Sequence, residues 1–331
     1  MNFEHLQAAH CESGVISSLL TNKGLAISEP MVFGLSSALA FAYIPLVKLA
    51  GQPLIAYRLP PKFIIKGLSK RLNIKMSYHT FKDSLRGAHA LDDALVHGPV
   101  GLQTSVYFLP YFPEEMRFHF NGHNLIVYGR QDTHYQVSDP LFETPVVIDQ
   151  GSLGKARFVR GPLAPKGLMY RVESVPAAID YAKVVPAAIR KNCRIMLDTP
   201  LPIAGLRGIR FLSKKIRNLK NAPDQQRLFL GHIVRMQEEI GTGGAGFRFI
   251  YASFLDEAAT LLNDDGLREA SDRMTDTGDH WRQFALAIAQ QCKRREGDFS
   301  VDNHLLADAL WRCAEEEEKV WRELKRWSKG R

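Results

Sequence analysis

The sequence has few cysteines, no internal repeat and no compositionally biased segment. Its four cysteines, Cys11, Cys193, Cys292 and Cys313, lie far apart, and none belongs to a C-x-x-C pair. This spacing argues against a zinc site and against a disulfide framework. The lack of low-complexity tracts and of repeats with a period of roughly 20–50 residues argues against disordered and solenoid classes. The class that remains is an ordinary globular protein. A length of 331 residues predicts two domains.

The sequence also lacks the marks of a targeting or membrane segment. No basic stretch followed by an apolar core precedes Cys11, so we expect no signal peptide. Together with the low cysteine content, this favours a cytoplasmic, reduced location. The uncharged run Met31–Val47 is shorter than the about 20 apolar residues that a membrane helix needs. We therefore predict a buried core helix there and no integral membrane span.

Acidic residues are outnumbered by basic ones. Lys and Arg total 43 against 35 for Asp and Glu, which gives a formal net charge of +8. This excess favours acidic partners, such as nucleic acid or an acidic carrier protein, and a solvated basic surface gives the same balance. No nucleic-acid-binding signature is present, so we expect no nucleic-acid partner.

Strands and helices alternate in the first half of the chain. Residues 11–22 and 80–97 have helical periodicity of their apolar positions. In contrast, residues 99–109, 124–130 and 134–138 are rich in β-branched and aromatic side chains, which predicts strands.

From residue 176 onward only helices are predicted. The predicted helices cover residues 176–192, 205–221, 224–240, 245–264, 266–293 and 302–328. Residues 145–170 are rich in Gly and Pro and are predicted to be a loop-rich boundary. The fold class is therefore α+β, with a mixed domain at residues 1–165 and an all-α domain at residues 166–331.

His123 and Asp139 flank the two central strands. If residues 124–130 and 134–138 pair antiparallel, paired positions sum to about 263 ± 1 and His123 lies opposite Asp139. Cross-strand Cβ atoms are roughly 4.5–5.5 Å apart. Asp139 is then placed to accept a hydrogen bond from one ring nitrogen of His123, to fix its tautomer and to stabilise the imidazolium.

Cys11 is the nucleophile that this pair predicts. It opens a predicted helix, where the helix dipole favours a thiolate. A helix-borne Cys followed more than 100 residues later by His and then Asp on strands is the order of papain-like enzymes. We therefore predict a Cys11–His123–Asp139 catalytic triad. The alternatives are a Cys11 that is only a small buried hydrophobic residue and a His123 that is only hydrogen-bonded at a strand end.

Further polar residues near the nucleophile are weaker candidates. His10 is placed to orient Cys11 or to compete as a base. Gln7 and Gln103 are candidate side-chain donors to an oxyanion, but papain-like enzymes place such a glutamine where this chain has His5. The backbone N–H of Cys11 is a safer donor. No metal site is predicted, because no zinc-binding motif is complete.

The helical region contributes two groups of candidates. Arg248, Tyr251 and Glu257 follow the glycine-rich residues 241–246 and are candidate substrate-pocket residues. The segment 205–220 is basic, contains no acid and has an apolar stripe, so it predicts a basic amphipathic helix. Such a helix docks an acidic carrier protein, an anionic membrane surface or nucleic acid, or is a solvated face. Its candidate docking residues are Arg207, Arg210, Lys214, Lys215 and Arg217.

The chain resembles a known family at HCESGVISSLL, SEPMVFGLSSALAFAY, GHNLIVYG and QVSDP. These segments are similar to the N-terminal domain of the butirosin biosynthesis protein H family, and the His-to-Asp spacing is also similar to that of bacteriocin-leader peptidases of papain fold. The stretch GTGGAGFRFIYASFLDEAA resembles the helical domain of unknown function that often follows this N-terminal domain. The resemblance spans roughly residues 5–325.

The resemblance implies a papain-like cysteine acyltransferase with Cys11 as nucleophile, His123 as base and Asp139 as its orienting residue. The family type member moves an aminoacyl group from an acyl carrier protein thioester to an amine of an aminoglycoside. Nothing in this sequence identifies an aminoglycoside acceptor, and a substrate does not transfer with a fold.

We therefore expect an enzyme of bacterial secondary metabolism that transfers an acyl or aminoacyl group. The donor is a thioester on an acyl carrier protein, and the acceptor is an amine or hydroxyl of a small molecule. No cofactor is expected to be bound, because the carrier supplies phosphopantetheine. A papain-like cysteine hydrolase (amidase, peptidase or thioesterase) is the alternative, and a non-catalytic scaffold is the third hypothesis. The apolar residues of the helical half are equally compatible with a homodimer and with an acyl pocket.

Overall fold

Residues 3–49, 51–220, 222–293 and 302–331 are described by a computed structural model of the chain. The chain divides into unit 1, which comprises Met1–Val32 and Ile64–Ile179, and unit 2, which comprises Phe33–Phe63 and Asp180–Arg331. The strands are β1 (Leu39–Leu49), β2 (Gln52–Arg58), β3 (Lys75–His79), β4 (Val100–Thr104), β5 (His123–Gln131), β6 (His134–Ser138), β7 (Val146–Asp149) and β8 (Met169–Ser174). The helices are α1 (Cys11–Asn22), α2 (Glu29–Leu35), α3 (Phe63–Leu72), α4 (Ser84–Leu95), α5 (Gln150–Phe158), α6 (Tyr181–Leu197), α7 (Gly205–Arg217), α8 (Pro223–Val234), α9 (Arg248–Leu262), α10 (Asp265–Cys292) and α11 (Asn303–Lys329). Shorter helical turns cover Val106–Phe108, Glu114–Met116, Arg235–Glu239 and Ala245–Phe247.

A six-stranded sheet forms the centre of unit 1. Its strand order is β3-β8-β4-β5-β6-β7, and every neighbouring pair is antiparallel. Leu125 and Val127 of β5 belong to the apolar core that α4 and α5 cover. Because side chains alternate along a strand, Asn124 and Ile126 lie on the other face, where α1 packs against β4, β5 and β8.

α1 begins at Cys11 because His10 caps the helix and Glu29 binds the backbone of the two residues before it. His10 has an extended backbone, and its Nδ1 accepts a hydrogen bond from the Ser13 N–H at 3.3 Å. The Glu29 carboxylate accepts from the backbone N–H groups of Ala9 and His10, both at 2.8 Å. The predicted helix over residues 11–22 is confirmed.

The predicted helix over Met31–Val47 is wrong beyond its first turn. α2 ends at Leu35, and Ser37 has a φ of +59°, which ends the helical path. The residues that follow include Phe41 and Tyr43, whose aromatic side chains favour a strand. They form β1, which pairs antiparallel with β2 in unit 2.

The units also differ from the predicted domains at residues 1–165 and 166–331. Unit 1 continues to Ile179, since β8 pairs with both β3 and β4 of the central sheet. The β1–β2 hairpin belongs to unit 2 although it lies early in the chain. The passage 145–170 is not only loop, because it contains β7 and α5, and Asp149 caps α5 by accepting from the Ser152 N–H at 2.9 Å.

Unit 2 consists of α6–α11 and the β1–β2 hairpin. Phe41 and Tyr57 of the hairpin contact Trp281 of α10, with ring centroids 6.0 and 5.7 Å apart. The helices after Asp180 confirm the predicted all-α region, and the antiparallel sheet of unit 1 confirms the α+β class. In the parts of the chain that the structure describes, every helix is too short or too polar to cross a membrane.

Candidate active site

Cys11, His123 and Asp139 lie together in unit 1. Cys11 is the first residue of α1, His123 is the first residue of β5, and Asp139 follows the last residue of β6. Their side chains are buried. His123 Nε2 lies 2.6 Å from Asp139 Oδ2, and the same imidazole is hydrogen-bonded to the Cys11 thiol. Since Nε2 faces Asp139, Nδ1 is the ring nitrogen left for the thiol.

The β5–β6 hairpin that carries this pair has a register slightly different from the predicted one. Val127 pairs with Val137, so the positions sum to 264, but Gly129 pairs with Gln136, where they sum to 265. The difference arises from an irregularity between Val127 and Gly129. Asp139 lies just outside the ladder and reaches His123 through its side chain, not as a cross-strand partner.

The Asp139 carboxylate is held by two further donors. The Tyr111 hydroxyl donates to Oδ2 at 2.9 Å, and the Leu141 N–H donates to Oδ1 at 3.1 Å. Phe112 packs edge-on against the His123 ring at 5.6 Å. The sequence did not predict Tyr111, because it lies between regular elements and no spacing relates it to Asp139.

The imidazole of His123 is protonated at neutral pH. Burial lowers its pKa, but the Asp139 carboxylate and the hydrogen bond with Cys11 outweigh burial and raise the pKa of His123 to about 10. Burial and the nearby Asp139 hold the pKa of Tyr111 well above its usual range, so the phenol stays a neutral donor. An imidazolium beside a cysteine is the arrangement that provides a thiolate nucleophile.

Gln103, one of the two predicted side-chain donors to an oxyanion, is engaged with other partners. Gln103 Nε2 donates to the carbonyl oxygens of Asn121 at 2.7 Å and Leu163 at 3.0 Å, so its amide holds two loops. Gln7 is exposed. The ring of His5, at the position expected for a glutamine, contacts Ser138 Oγ at 2.7 Å and the Phe142 carbonyl at 3.0 Å. The structure thus contradicts the predicted role of Gln103.

His10 is buried and serves as the N-cap of α1. Its Nδ1 lies 2.8 Å from Ser13 Oγ, which itself donates to Glu29 Oε1 at 3.0 Å. This network fixes the start of the helix that presents Cys11. It gives His10 a positioning role. The imidazole that is hydrogen-bonded to the Cys11 thiol is that of His123.

Two polar residues that the sequence did not single out lie beside the thiol. Asn124 Nδ2 is 4.0 Å from Cys11 Sγ, and the Tyr170 hydroxyl donates to Asn124 Oδ1 at 2.9 Å. Gly101 leaves room for the Tyr170 ring, because a Cβ on Gly101 would lie 2.2 Å from it. The available signal was weak: Asn124 directly follows His123, but Tyr170 lies 46 residues further along the chain.

Arg248, Tyr251 and Glu257 belong to α9 of unit 2. Arg248 is fully buried, and its guanidinium pairs with Glu317 at 3.1 Å and stacks over the Trp281 ring at 4.6 Å. Tyr251 is buried against Trp321, with ring centroids 5.2 Å apart. These contacts assign Arg248 and Tyr251 to the core of unit 2, in place of the predicted substrate-contact role. Glu257 is half-buried.

The predicted basic helix is α7, and its five candidate docking residues fall into two groups. Arg210 is paired with Glu318 and Arg217 with Asp308, both of α11. Arg207, Lys214 and Lys215 are exposed. The apolar side of α7 is buried, as predicted from its apolar stripe.

The other cysteines lack the environment of Cys11. Burial raises the pKa of Cys193 to about 12 and also raises the pKa of Cys313 and Cys292. Within the described ranges, no group of three or more His, Cys, Asp and Glu side chains is arranged to hold a metal ion.

Two family models match the chain. Residues 10–140 match the model described as butirosin biosynthesis protein H, N-terminal. Residues 151–324, more than half of the chain, match the model described as domain of unknown function DUF4872. These matches confirm the resemblance seen in the sequence.

No curated protein matches this chain. Among solved structures, a Bacillus anthracis protein described as a C39-like peptidase is similar at 15% sequence identity and a TM-score of 0.36, over 53% of this chain and 96% of that chain.

Proposed function

This chain belongs to the DUF4872 family and carries the butirosin biosynthesis protein H N-terminal region ahead of that domain, and from this premise we propose that it is an acyltransferase. The chain is a papain-like cysteine enzyme. Its proposed reaction moves an acyl or aminoacyl group from an acyl carrier protein thioester to an amine or hydroxyl of a small molecule. The observation that carries the proposal is the buried arrangement of Cys11, His123 and Asp139, in which His123 Nε2 lies 2.6 Å from Asp139 Oδ2.

The first half-reaction loads the enzyme. The Cys11 thiolate attacks the thioester carbonyl carbon, and the carbonyl oxygen takes up negative charge. When the tetrahedral intermediate collapses, the bond from carbon to the pantetheine sulfur breaks, and His123 delivers its proton to the departing thiolate. One thioester replaces another, so this step is close to isoenergetic and suits a thiol nucleophile.

The second half-reaction transfers the acyl group from Cys11 to the acceptor. Neutral His123 accepts a proton from the acceptor amine or hydroxyl as that group attacks the acyl-Cys11 carbonyl. The carbon–sulfur bond breaks and Cys11 leaves as a thiolate beside the imidazolium. Asp139 holds the ring through Nε2, and Tyr111 fixes the Asp139 carboxylate. Water in place of the acceptor would give hydrolysis, so burial of the three side chains favours transfer.

The carrier is proposed to dock on α7. Arg207, Lys214 and Lys215 are exposed there and provide positive charge for an acidic carrier surface. Arg210 and Arg217 are paired within unit 2 and contribute less. We also propose that the carrier delivers phosphopantetheine, that the protein forms a homodimer and that it is located in the cytoplasm.

The test is to incubate the protein with a thioester-loaded acyl carrier protein and to measure its intact mass. We expect a covalent acyl adduct that Cys11→Ala abolishes, and adduct turnover that depends on an added amine. Turnover at the same rate without acceptor would favour the hydrolase, and no adduct with any carrier thioester tried would contradict the proposal. Charge reversal at Lys214 and Lys215 should slow loading from the carrier but not from a small thioester.

A further inference from the structure

The amide of Asn124 has a fixed orientation. Its Nδ2 lies 3.1 Å from the Gly122 carbonyl oxygen, which only accepts hydrogen bonds, so the NH2 group must lie on that side. Its Oδ1 accepts from the Tyr170 hydroxyl at 2.9 Å. Burial holds the pKa of Tyr170 well above its usual range, which keeps the phenol neutral and able to donate. A flipped amide would place Oδ1 against a carbonyl oxygen.

This orientation directs an N–H toward the nucleophile. Asn124 Nδ2 is 4.0 Å from Cys11 Sγ, on the α1 face of β5, and the side chain is buried. When a carbonyl carbon bonds to Sγ, its oxygen lies within one bond length of that carbon. A donor 4 Å from the sulfur is thus close enough to reach the oxygen with a small adjustment.

Neighbouring polar side chains are already committed to other partners. The Gln103 amide donates to two backbone carbonyls, and the His5 ring contacts Ser138 and Phe142. The backbone N–H of Cys11 lies at the first position of α1, where a helix offers no intrahelical acceptor. It is a natural second donor.

The geometry points to Asn124 as the side-chain donor that stabilises the oxyanion in acyl transfer to Cys11, together with the Cys11 N–H, and to Tyr170 as the residue that positions it. This inference rests on the proposed function for its chemistry, because it requires attack of Cys11 on a carbonyl. It does not depend on the identity of the donor or acceptor. A buried, preorganised donor of this kind contributes about 10²–10³-fold to rate in other enzymes.

Two reactions of the Cys11 thiol distinguish stabilisation of the oxyanion from other effects on the reactivity of the thiol. Phenyl thioacetate acylates Cys11 through a tetrahedral intermediate that carries the oxyanion. Iodoacetamide alkylates the thiolate by displacing iodide at a saturated carbon, and no oxyanion forms. Both rates are measured on the full chain by the mass of the peptide that contains Cys11, and their ratio reports the oxyanion contribution.

For Asn124→Leu, which matches the side chain in size but cannot donate, we expect acylation to fall about 10²–10³-fold while alkylation changes by less than about threefold. His123→Ala should slow both reactions and leave the ratio far less changed. Gln103→Leu is the matched control, because Gln103 pairs with Asn124 across the β4–β5 ladder and its amide holds other groups. It should leave the ratio at the wild-type value.

Tyr170→Phe is the second variant, which keeps the ring and removes one hydrogen bond to Oδ1. We expect a roughly threefold to tenfold loss of acylation with alkylation retained, as for loss of a single hydrogen bond. If Asn124→Leu fails to fold, this variant alone decides: an unchanged ratio overturns the assignment.

The two proposals fail in different ways. Equal acylation by wild type and by the Asn124 and Tyr170 variants would overturn the oxyanion assignment and leave transfer from a carrier standing. A large ratio effect with phenyl thioacetate, but no loading from any carrier, would support Asn124 and contradict the carrier-dependent function. A wild-type protein that is alkylated at Cys11 but never acylated would overturn both.

Discussion

Asp139 sets the charge of the imidazole that it contacts. Its carboxylate is fully buried and accepts from His123, Tyr111 and the Leu141 N–H, so its lone pairs are used within the protein. The charge and hydrogen bond of this carboxylate raise the pKa of His123, so the imidazole keeps a proton that it would lose in water at neutral pH. Catalysis and stability are therefore linked at this one contact.

The link predicts a pH dependence of stability that Asp139→Asn reduces. The pKa of His123 is about 10 in the folded protein and about 6.5 when unfolded, so between these values the folded state binds more protons. The free energy of unfolding should thus fall as pH rises from about 6.5 to 10, and the stabilisation is fully present below about 6.5. In Asp139→Asn this fall should be smaller. Urea unfolding followed by circular dichroism at several pH values measures it.

Asp132→Asn is the control for this prediction, since Asp132 is an exposed carboxylate in the turn between β5 and β6. It should retain the wild-type pH dependence. Identical pH profiles for wild type and Asp139→Asn would show that Asp139 does not hold the proton on His123.

Residues that local spacing relates are predictable from the sequence, whereas residues that only the fold brings together are not. His123 and Asp139 lie at the two ends of a hairpin, so their proximity follows from strand alternation and a short turn. The prediction of Cys11 rests on chain order, the helix start and the family resemblance. Asn124 and Tyr170 meet because β4 lies between β8 and β5 in the sheet and pairs with both. A single sequence does not specify this strand order.

At the level of elements, the error at Met31–Val47 has a physical cause. An uncharged run has no polar face, so its periodicity distinguishes a buried helix from a buried strand poorly. The change from helix to strand occurs at Ser36 and Ser37, where Ser37 adopts a positive φ. The strand that follows was identifiable only through its aromatic and β-branched side chains, which are weaker indicators than a period.

α9, α10 and α11 are joined by one buried ion pair. Glu317 of α11 accepts from Arg248 and from the ring N–H groups of Trp281 and Trp321, at 3.1 and 3.0 Å for the two indoles. A single carboxylate thus satisfies three buried donors on three helices. Removing it leaves a guanidinium in an apolar core without a counter-charge.

Glu317→Gln should therefore lower the free energy of unfolding of unit 2 by about 3–5 kcal/mol. All four tryptophans of the sequence lie in unit 2, so urea unfolding followed by tryptophan fluorescence reports on this unit. The control is Asp256→Asn, which removes an exposed pair with Arg268 and should cost less than about 1 kcal/mol. If Glu317→Gln lowered the free energy of unfolding no more than the control does, the buried pair would not be what stabilises the packing of these helices.

For the whole molecule, the chain order and the spatial order differ. The β1–β2 hairpin precedes most of unit 1 in sequence but is part of unit 2, where Phe41 and Tyr57 contact Trp281. The two parts of the sequence that match separate families are thus not two independent folding pieces. A boundary drawn from sequence alone misses this, because the hairpin contacts residues more than 200 positions away.

A fragment that ends at Ile179 should consequently be poorly soluble, although it contains every residue of the triad. Its hairpin lacks the helices that cover it, and an exposed apolar hairpin with free edges aggregates. The soluble fraction after expression and the circular dichroism of the fragment measure this. Replacing Phe41 and Tyr57 by Ser in the fragment should raise its solubility, whereas the same pair of changes should destabilise the full chain. A soluble, folded fragment 1–179 would contradict this account of the hairpin.

The same arrangement has a consequence for the order of events during protein synthesis. The hairpin is complete once Arg58 is made, but its covering helices begin only at Tyr181, about 120 residues later. At a translation rate of roughly 5–20 residues per second, the apolar hairpin waits on the order of 10 s before any partner exists. In the cell, that interval is when this chain most needs a chaperone.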